Sequence, residues 1–220
     1  ILEKVKNNEI YGINVTVPFK QTVIPFLETK SEIAIKTNSV NTIFNKDGKI
    51  HGDNTDVYGF EKSIINNKIN LEGKTVLIFG AGGVVPSIIL ALSNLKAKKI
   101  FITNRTKENA IMIKSKFEFV EIIEWGKIEK CDLIINSTSV GLKRSDSLRL
   151  NFKDFGKNKI FYDVIYNPSK TLFLLEAEKN GNRIINGREM FLYQAQKAFN
   201  LWHNLTPTVD EKLIRYLYND

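Results

Sequence analysis

Three stretches of this sequence carry residue types that could do chemistry. Gly80-Ala81-Gly82-Gly83 follows the apolar run Thr75-Val76-Leu77-Ile78-Phe79 and leads into a helical stretch reaching about Leu95. A glycine turn between a buried strand and a helix lets the backbone approach a pyrophosphate. The helix start adds free N–H groups and the positive end of its dipole. That context points to a dinucleotide; packing of helix on sheet is the plainer use of such a turn. Asn104-Arg105-Thr106 follows the next apolar run, Lys99 to Thr103, with no acid before Glu108. Residues after a second strand read the ribose 2′ position. A carboxylate there repels a 2′-phosphate, whereas a guanidinium binds it with two hydrogen bonds. Arg105 therefore favours NADP over NAD.

The third constellation is a lysine and an aspartate. Asn14-Val15-Thr16-Val17-Pro18-Phe19-Lys20 sets Lys20 just beyond a strand end, and Gly52-Asp53-Asn54-Thr55-Asp56 sets Asp56 at a helix start. Brought together, the two could move a proton to or from a reacting oxygen. Asp56 would orient the ammonium and keep it charged. Lys20 would polarise a carbonyl or accept an alcohol proton. Taken singly, each has a bland use. A lone lysine is a solvated charge, and an aspartate before a helix is a cap worth about 1 kcal/mol.

Composition narrows the classes. The chain has 220 residues, 43% hydrophobic and 25% charged, enough for one large domain or two small ones and ordinary for a globular protein. No apolar run of about 18 residues appears, which excludes a membrane-spanning helix. A single cysteine, Cys131, rules out an internal disulfide and a cysteine-based zinc site, and His51 and His203 are too isolated to suggest a metal. The net charge of +8 comes from scattered lysines, with no block of like charge and no basic helix with interleaved aromatics. That pattern argues against nucleic-acid binding and suits attraction of small anions.

The elements that must position these residues follow from periodicity. Residues 10–17 alternate and are rich in β-branched types, which predicts a strand ended by Pro18. A helix is expected from Gln21 to Lys30, weakened by Pro25. Val40 to Phe44 and Lys49 to Gly52 read as a hairpin around Asp47-Gly48, and Asp56 to Ile65 as a helix. Beyond Gly73, buried strands are expected at 75–79, 99–103, 120–123, 133–136, 160–164 and 183–185, alternating with helices that include 107–117. Final helices are read at 190–201 and 210–218. Strand–helix alternation with uniformly apolar strands predicts an α/β protein with a doubly wound parallel sheet.

In these motifs the chain resembles the shikimate dehydrogenase family. Asn14 to Lys20 is similar to the family's lysine-bearing loop, Val40-Asn41-Thr42 to its asparagine motif and Asp53-Asn54-Thr55-Asp56 to its aspartate motif. Gly80 to Gly83 and Asn104-Arg105-Thr106 resemble its NADP loops. Asn136-Ser137-Thr138-Ser139-Val140-Gly141, Tyr162 to Pro168 and Tyr193-Gln194-Ala195 complete the order. The resemblance implies a Rossmann-like cofactor domain beside a smaller α/β substrate domain. It implies NADP as cofactor and reversible reduction of 3-dehydroshikimate to shikimate, with Lys20 and Asp56 as the catalytic pair. Thr16, Asn41, Tyr166 and Gln194 would bind the substrate. Gly80, Ala81, Gly82, Gly83, Asn104, Arg105, Thr106 and Thr138 would bind the cofactor, with Gly187 and Met190 near the nicotinamide.

The expected division is 1–55 with 188–220 for the substrate domain and 56–187 for the cofactor domain. The substrate domain is expected to be N-terminally incomplete. The family's paired-serine motif would precede Ile1, and the native chain is expected to begin earlier. Asn109 stands where the family often has a basic residue, and Leu142 where it often has methionine. Two other readings stay open: an NAD-preferring quinate/shikimate dehydrogenase, and a non-catalytic regulator sensing cofactor or shikimate-like ligands. A cytoplasmic location, a small-molecule substrate, no metal, no nucleic acid and no membrane are expected, and a homodimer is the assembly the reading allows.

Overall fold

The computed structural model describes residues 1–143 and 145–218. Two sheets organise them, and the smaller is built first. Its elements are α1 (Leu2–Lys6), β1 (Gly12–Asn14), α2 (Phe19–Thr22), a 3₁₀ turn at Ile24–Phe26, β2 (Thr29–Lys30), α3 (Glu32–Thr37), β3 (Thr42–Lys46) and β4 (Lys49–Asp53). The strand order is β1-β3-β4-β2, antiparallel except for the β2–β4 pair. Asp47 and Gly48 both take positive φ (53° and 78°), as a two-residue hairpin requires. Val5, Leu27, Ala34, Val40, Ile43 and Ile50 pack into its core.

Local patterning misreads part of this region. The strand expected over 10–17 pairs only over Gly12–Asn14. The helix expected from Gln21 to Lys30 breaks into α2, the 3₁₀ turn and β2. Pro25 has no N–H to donate and stands at the start of the 3₁₀ turn. Downstream, Glu28 N–H donates to the Ile50 carbonyl and Ser31 N–H to that of Gly52, which lays the backbone along β4. The sequence pattern predicts no element where α3 stands. Ser31 caps it by accepting from Ala34 N–H at 3.1 Å, and Asn38 ends it in the left-handed region (φ 49°). The strand expected at 40–44 lies two residues later.

The chain then crosses to the larger sheet through α4 (Asp56–Asn66). There follow β5 (Thr75–Phe79), α5 (Val85–Asn94), β6 (Lys99–Thr103), α6 (Lys107–Lys114), β7 (Val120–Ile122) and β8 (Leu133–Asn136). A 3₁₀ turn at Phe152–Phe155, β9 (Ile160–Asp163), α7 (Leu172–Lys179), β10 (Arg183–Ile185), α8 (Arg188–His203) and α9 (Glu211–Tyr218) complete it. All six strands are parallel, in the order β10-β9-β8-β5-β6-β7. This is a Rossmann-like, doubly wound sheet. The chain builds outward from β5 to β7 and returns to β5's other side through β8, so the order reverses between β5 and β8.

The central strand β5 feeds two cores. Val76 and Ile78 pack with Val57, Phe60 and Ile88 on one face; Leu77 and Phe79 pack with Phe155, Phe161 and Phe173 on the other. Burial on both faces explains the unbroken apolar runs. α8 packs along α4, where a Cβ on Gly59 would lie 2.5 Å from the Met190 carbonyl, an approach only glycine permits. Further along α8, Trp202 Nε1 donates to Thr42 Oγ1 at 2.8 Å and ties the helix to the small sheet. No helix among the described residues is long and apolar enough to cross a membrane.

Candidate active site

Lys20 belongs to α2, the short helix entered through the Thr16–Phe19 turn, in which Phe19 N–H donates to the Thr16 carbonyl at 2.8 Å. Its own carbonyl accepts from Val40 N–H at 2.8 Å, which fixes α2 against the segment that carries Asn41 into β3. Asp56 opens α4, and its N–H donates to Asn54 Oδ1 at 3.0 Å. Lys20 Nζ and Asp56 Oδ2 meet at 2.6 Å, with side chains 13% and 8% exposed. The other carboxylate oxygen, Oδ1, accepts from Asn41 Nδ2 at 3.0 Å. Asn41 is buried; its Oδ1 takes the Thr55 N–H at 2.8 Å, and its Nδ2 lies 3.3 Å from Gln194 Oε1. Lysine, aspartate, asparagine and glutamine thus come from four separate segments of the chain into one network.

The network faces a cavity of about 420 Å³. Thr16, Lys20, Asn41, Asp56, Tyr166, Gly187, Met190 and Gln194 all line it, which brings eight of the predicted site residues together. Asn14, Val15, Val17, Val84, Val164 and Phe191 also line it and were not singled out from the sequence. Asn14, Val15 and Val17 lie within the lysine-bearing motif without a role of their own, and the signal of the apolar Val84, Val164 and Phe191 is no different from a core pattern. Tyr166 and Phe191 stack at the rim, with ring centroids 4.5 Å apart and planes at 24°.

Asp163 anchors the loop that carries Val164 and Tyr166. It is fully buried and accepts from Thr171 Oγ1 (2.6 Å), Asn136 Nδ2 (3.1 Å) and Ile165 N–H (3.0 Å). Burial pushes its carboxyl up to about 6, against the pull of those hydrogen bonds. Cys131 is buried as well, and its thiol is pushed up to about 12, which leaves it no nucleophile.

The remaining predicted residues lie around the sheet's reversal point rather than in this cavity. Gly80 has φ 113°, and a Cβ there would sit 2.6 Å from Ser137 Oγ and 3.1 Å from Thr138 Cγ2, so the turns after β5 and β8 press together. Gly80 N–H donates to the Thr103 carbonyl at 2.8 Å, which sets the end of β6 alongside. Thr138 Oγ1 donates to Asn136 Oδ1 (2.7 Å) and Asn104 Nδ2 to the Thr106 carbonyl (2.7 Å). Arg105 is exposed and pairs with no described residue.

These residues fit a dinucleotide. Cβ atoms on Gly82 and Gly83 would meet nothing within 4 Å, so the backbone there is open to a ligand. No side chain caps α5, and the N–H groups of Gly82, Gly83 and Val84 donate to no described acceptor. Such donors at a helix start suit a phosphate. Val84, next in the chain, lines the cavity of Lys20 and Asp56, so the two halves adjoin. Among the described residues no group of three His, Cys, Asp or Glu could hold a metal ion. A second cavity of about 450 Å³, bordered by Asn67, Lys170, Asn186 and Glu189, contains none of the predicted site residues.

Residues 1–43 match the family model described as the shikimate dehydrogenase substrate binding domain, and 62–152 the one described as shikimate / quinate 5-dehydrogenase. The chain is 48% identical over 217 residues to the shikimate dehydrogenase (NADP(+)) of Pelagibacter ubique, covering 99% of this chain and 82% of that protein. The chain belongs to the shikimate dehydrogenase family. Among solved members, the enzyme from Thermus thermophilus in complex with NADP(H) and shikimate is 31% identical, with a TM-score of 0.85 over 94% of this chain and 78% of that one. The shikimate 5-dehydrogenase from Listeria monocytogenes, in complex with shikimate and NAD, is 27% identical, with a TM-score of 0.90 over 99% and 81%. Shikimate dehydrogenases with either dinucleotide bound thus share this fold.

Proposed function

We propose that the chain is an NADP-dependent shikimate dehydrogenase that reversibly reduces the ketone of 3-dehydroshikimate to the hydroxyl of shikimate. The observation that carries this is the Lys20–Asp56 pair, 2.6 Å apart in a cavity that adjoins an open glycine turn. NADPH, when bound, supplies the hydride. The Lys20 ammonium stabilises the alkoxide that develops on the ketone oxygen and gives it a proton. Asp56 holds that ammonium in place, and Asn41 holds Asp56 through its second oxygen. Thr16, Tyr166 and Gln194 supply hydrogen bonds for the hydroxyls and carboxylate of the substrate. Val15, Val84 and Val164 line the cavity with apolar surface that limits water beside the pair, which strengthens the charge interaction.

Gly80 to Gly83 hold the pyrophosphate, with Thr138 beside the turn. Asn104, Arg105 and Thr106 hold the 2′-phosphate, and Gly187 and Met190 border the nicotinamide. Residues 1–55 and 188–220 act as the substrate domain and 56–187 as the cofactor domain. The same reading carries a cytoplasmic location, a homodimer and no nucleic-acid partner. The test is NADPH oxidation with 3-dehydroshikimate, run beside NADH and, in reverse, beside quinate. Ligand binding without turnover would overturn the enzyme reading in favour of a sensor. Preference for NADH with faster quinate oxidation would favour the NAD-linked alternative.

A further inference from the structure

The Lys20–Asp56 cavity and the glycine turn are linked by one buried amide that the chemistry above does not use. Asn54 lies between β4 and α4 and is 1% exposed. Its Nδ2 donates to the Ser39 carbonyl at 3.0 Å and to Ser87 Oγ at 2.9 Å, with Thr37 Oγ1 at 3.2 Å sharing the same donors. Its Oδ1 accepts from Asp56 N–H at 3.0 Å and lies 3.3 Å from Ser87 Oγ. Three segments therefore converge on a single side chain. Ser39 leads two residues on into Asn41, Asp56 is the carboxylate itself, and Ser87 stands in the first turn of α5.

Each contact is placed to matter. Ser87 is fully buried and follows the turn whose open N–H groups face the phosphate site, so an anion that orders that turn also orders Ser87. The Asp56 N–H is the first of α4 and has no partner within its own helix. Asn54 Oδ1 supplies that partner, which sets where the Asp56 carboxylate leaves the helix and hence where Lys20 finds it. Close by, Ser39 Oγ lies 3.5 Å from the Gly83 carbonyl, a second contact between the same two segments.

We propose that Asn54 is a positioning residue that ties the order of the glycine turn, through Ser87, to the placement of Asp56. This rests on the functional reading above, and its test needs no turnover. Amide exchange of Asp56 is followed by NMR on the chain with and without saturating NADP⁺, with Phe60 in the interior of α4 as the control for global opening. In the unsubstituted chain, NADP⁺ slows Asp56 exchange about tenfold while Phe60 changes less. Ser87→Ala, a small change in a helix, still binds NADP⁺ by calorimetry but cuts the Asp56 effect below about twofold. Asn54→Ala speeds Asp56 exchange about tenfold even without cofactor. Ser87→Ala chains that keep the full NADP⁺ effect at Asp56 would overturn the proposal, as would an unsubstituted chain with no such effect. If the unsubstituted chain neither binds NADP⁺ nor turns over, the functional reading falls, and this inference with it.

Discussion

Replacing Lys20 with alanine removes the positive charge from the point where the reduction builds negative charge. The Nζ sits 2.6 Å from Asp56 Oδ2 and its side chain is largely shielded from water. At an effective dielectric of about 20, a unit charge about 3 Å from a forming alkoxide is worth roughly 5 kcal/mol. Water entering the space vacated by the side chain returns part of that. A net loss near 4 kcal/mol corresponds to about a thousandfold in kcat. The ground-state ketone is neutral and gains far less from the ammonium, so KM should move by less than about fivefold. The assay follows NADPH absorbance with 3-dehydroshikimate, with circular dichroism and Tm measured on the same preparation. Asp56 keeps its bond from Asn41, so a folded variant is expected. A folded Lys20→Ala chain with kcat within tenfold of the original would refute the role of the ammonium.

Three further outcomes are expected. Arg105→Ala should lower kcat/KM for NADPH about a hundredfold, the worth of a charged two-bond contact, and leave NADH within about twofold; equal losses for both cofactors would count against 2′-phosphate recognition. Gly187→Ala would drive a Cβ into the Val164 carbonyl at the cavity wall and should cost about 3 kcal/mol, read as a fall in Tm together with a raised KM; an unchanged Tm would contradict the packing. Asp163 gives a pH dependence of definite sign. Its carboxyl is raised to about 6 in the fold and returns to about 3.9 on unfolding, so its contribution is complete at low pH and is lost as pH rises through 6. Going from pH 7 to pH 5 should therefore add about 1 kcal/mol through this group. His51, held low by burial, works in the opposite direction, so the comparison is with Asp163→Asn, whose urea midpoint should lack that gain. A variant as pH-sensitive as the original would reject the assignment.

The larger sheet was legible because both its faces are buried. Thr75–Phe79 and Lys99–Thr103 are unbroken apolar runs bounded by turns, and their ends in the structure agree with the pattern. The smaller sheet was harder, because its pieces owe their form to one another. Thr29–Lys30 is too short to show alternation and becomes a strand only through β4. α3 depends on a serine cap that local hydrophobicity does not reveal. The polar half of the cavity could be read through the family motifs that hold Lys20, Asn41, Asp56 and Gln194, since each residue type alone has a bland use on a solvated surface or at a helix cap. The apolar half could not, since Val84 or Phe191 at a cavity wall looks like any core residue. Asn54 was visible only as part of a motif. Its partners, Ser39 and Ser87, are brought to it by the chain's crossing between the sheets.

The tight crossing of α4 and α8 has a mechanical consequence. Gly59 lets the first helix rest against the Met190 carbonyl and the Gln194 Cβ of the second, one turn beyond Asp56. The pair behaves as a single beam carrying the carboxylate, the thioether and the amide at fixed spacing. A bulkier residue at position 59 would pry the helices apart and detune the chemistry without altering any group that meets the substrate.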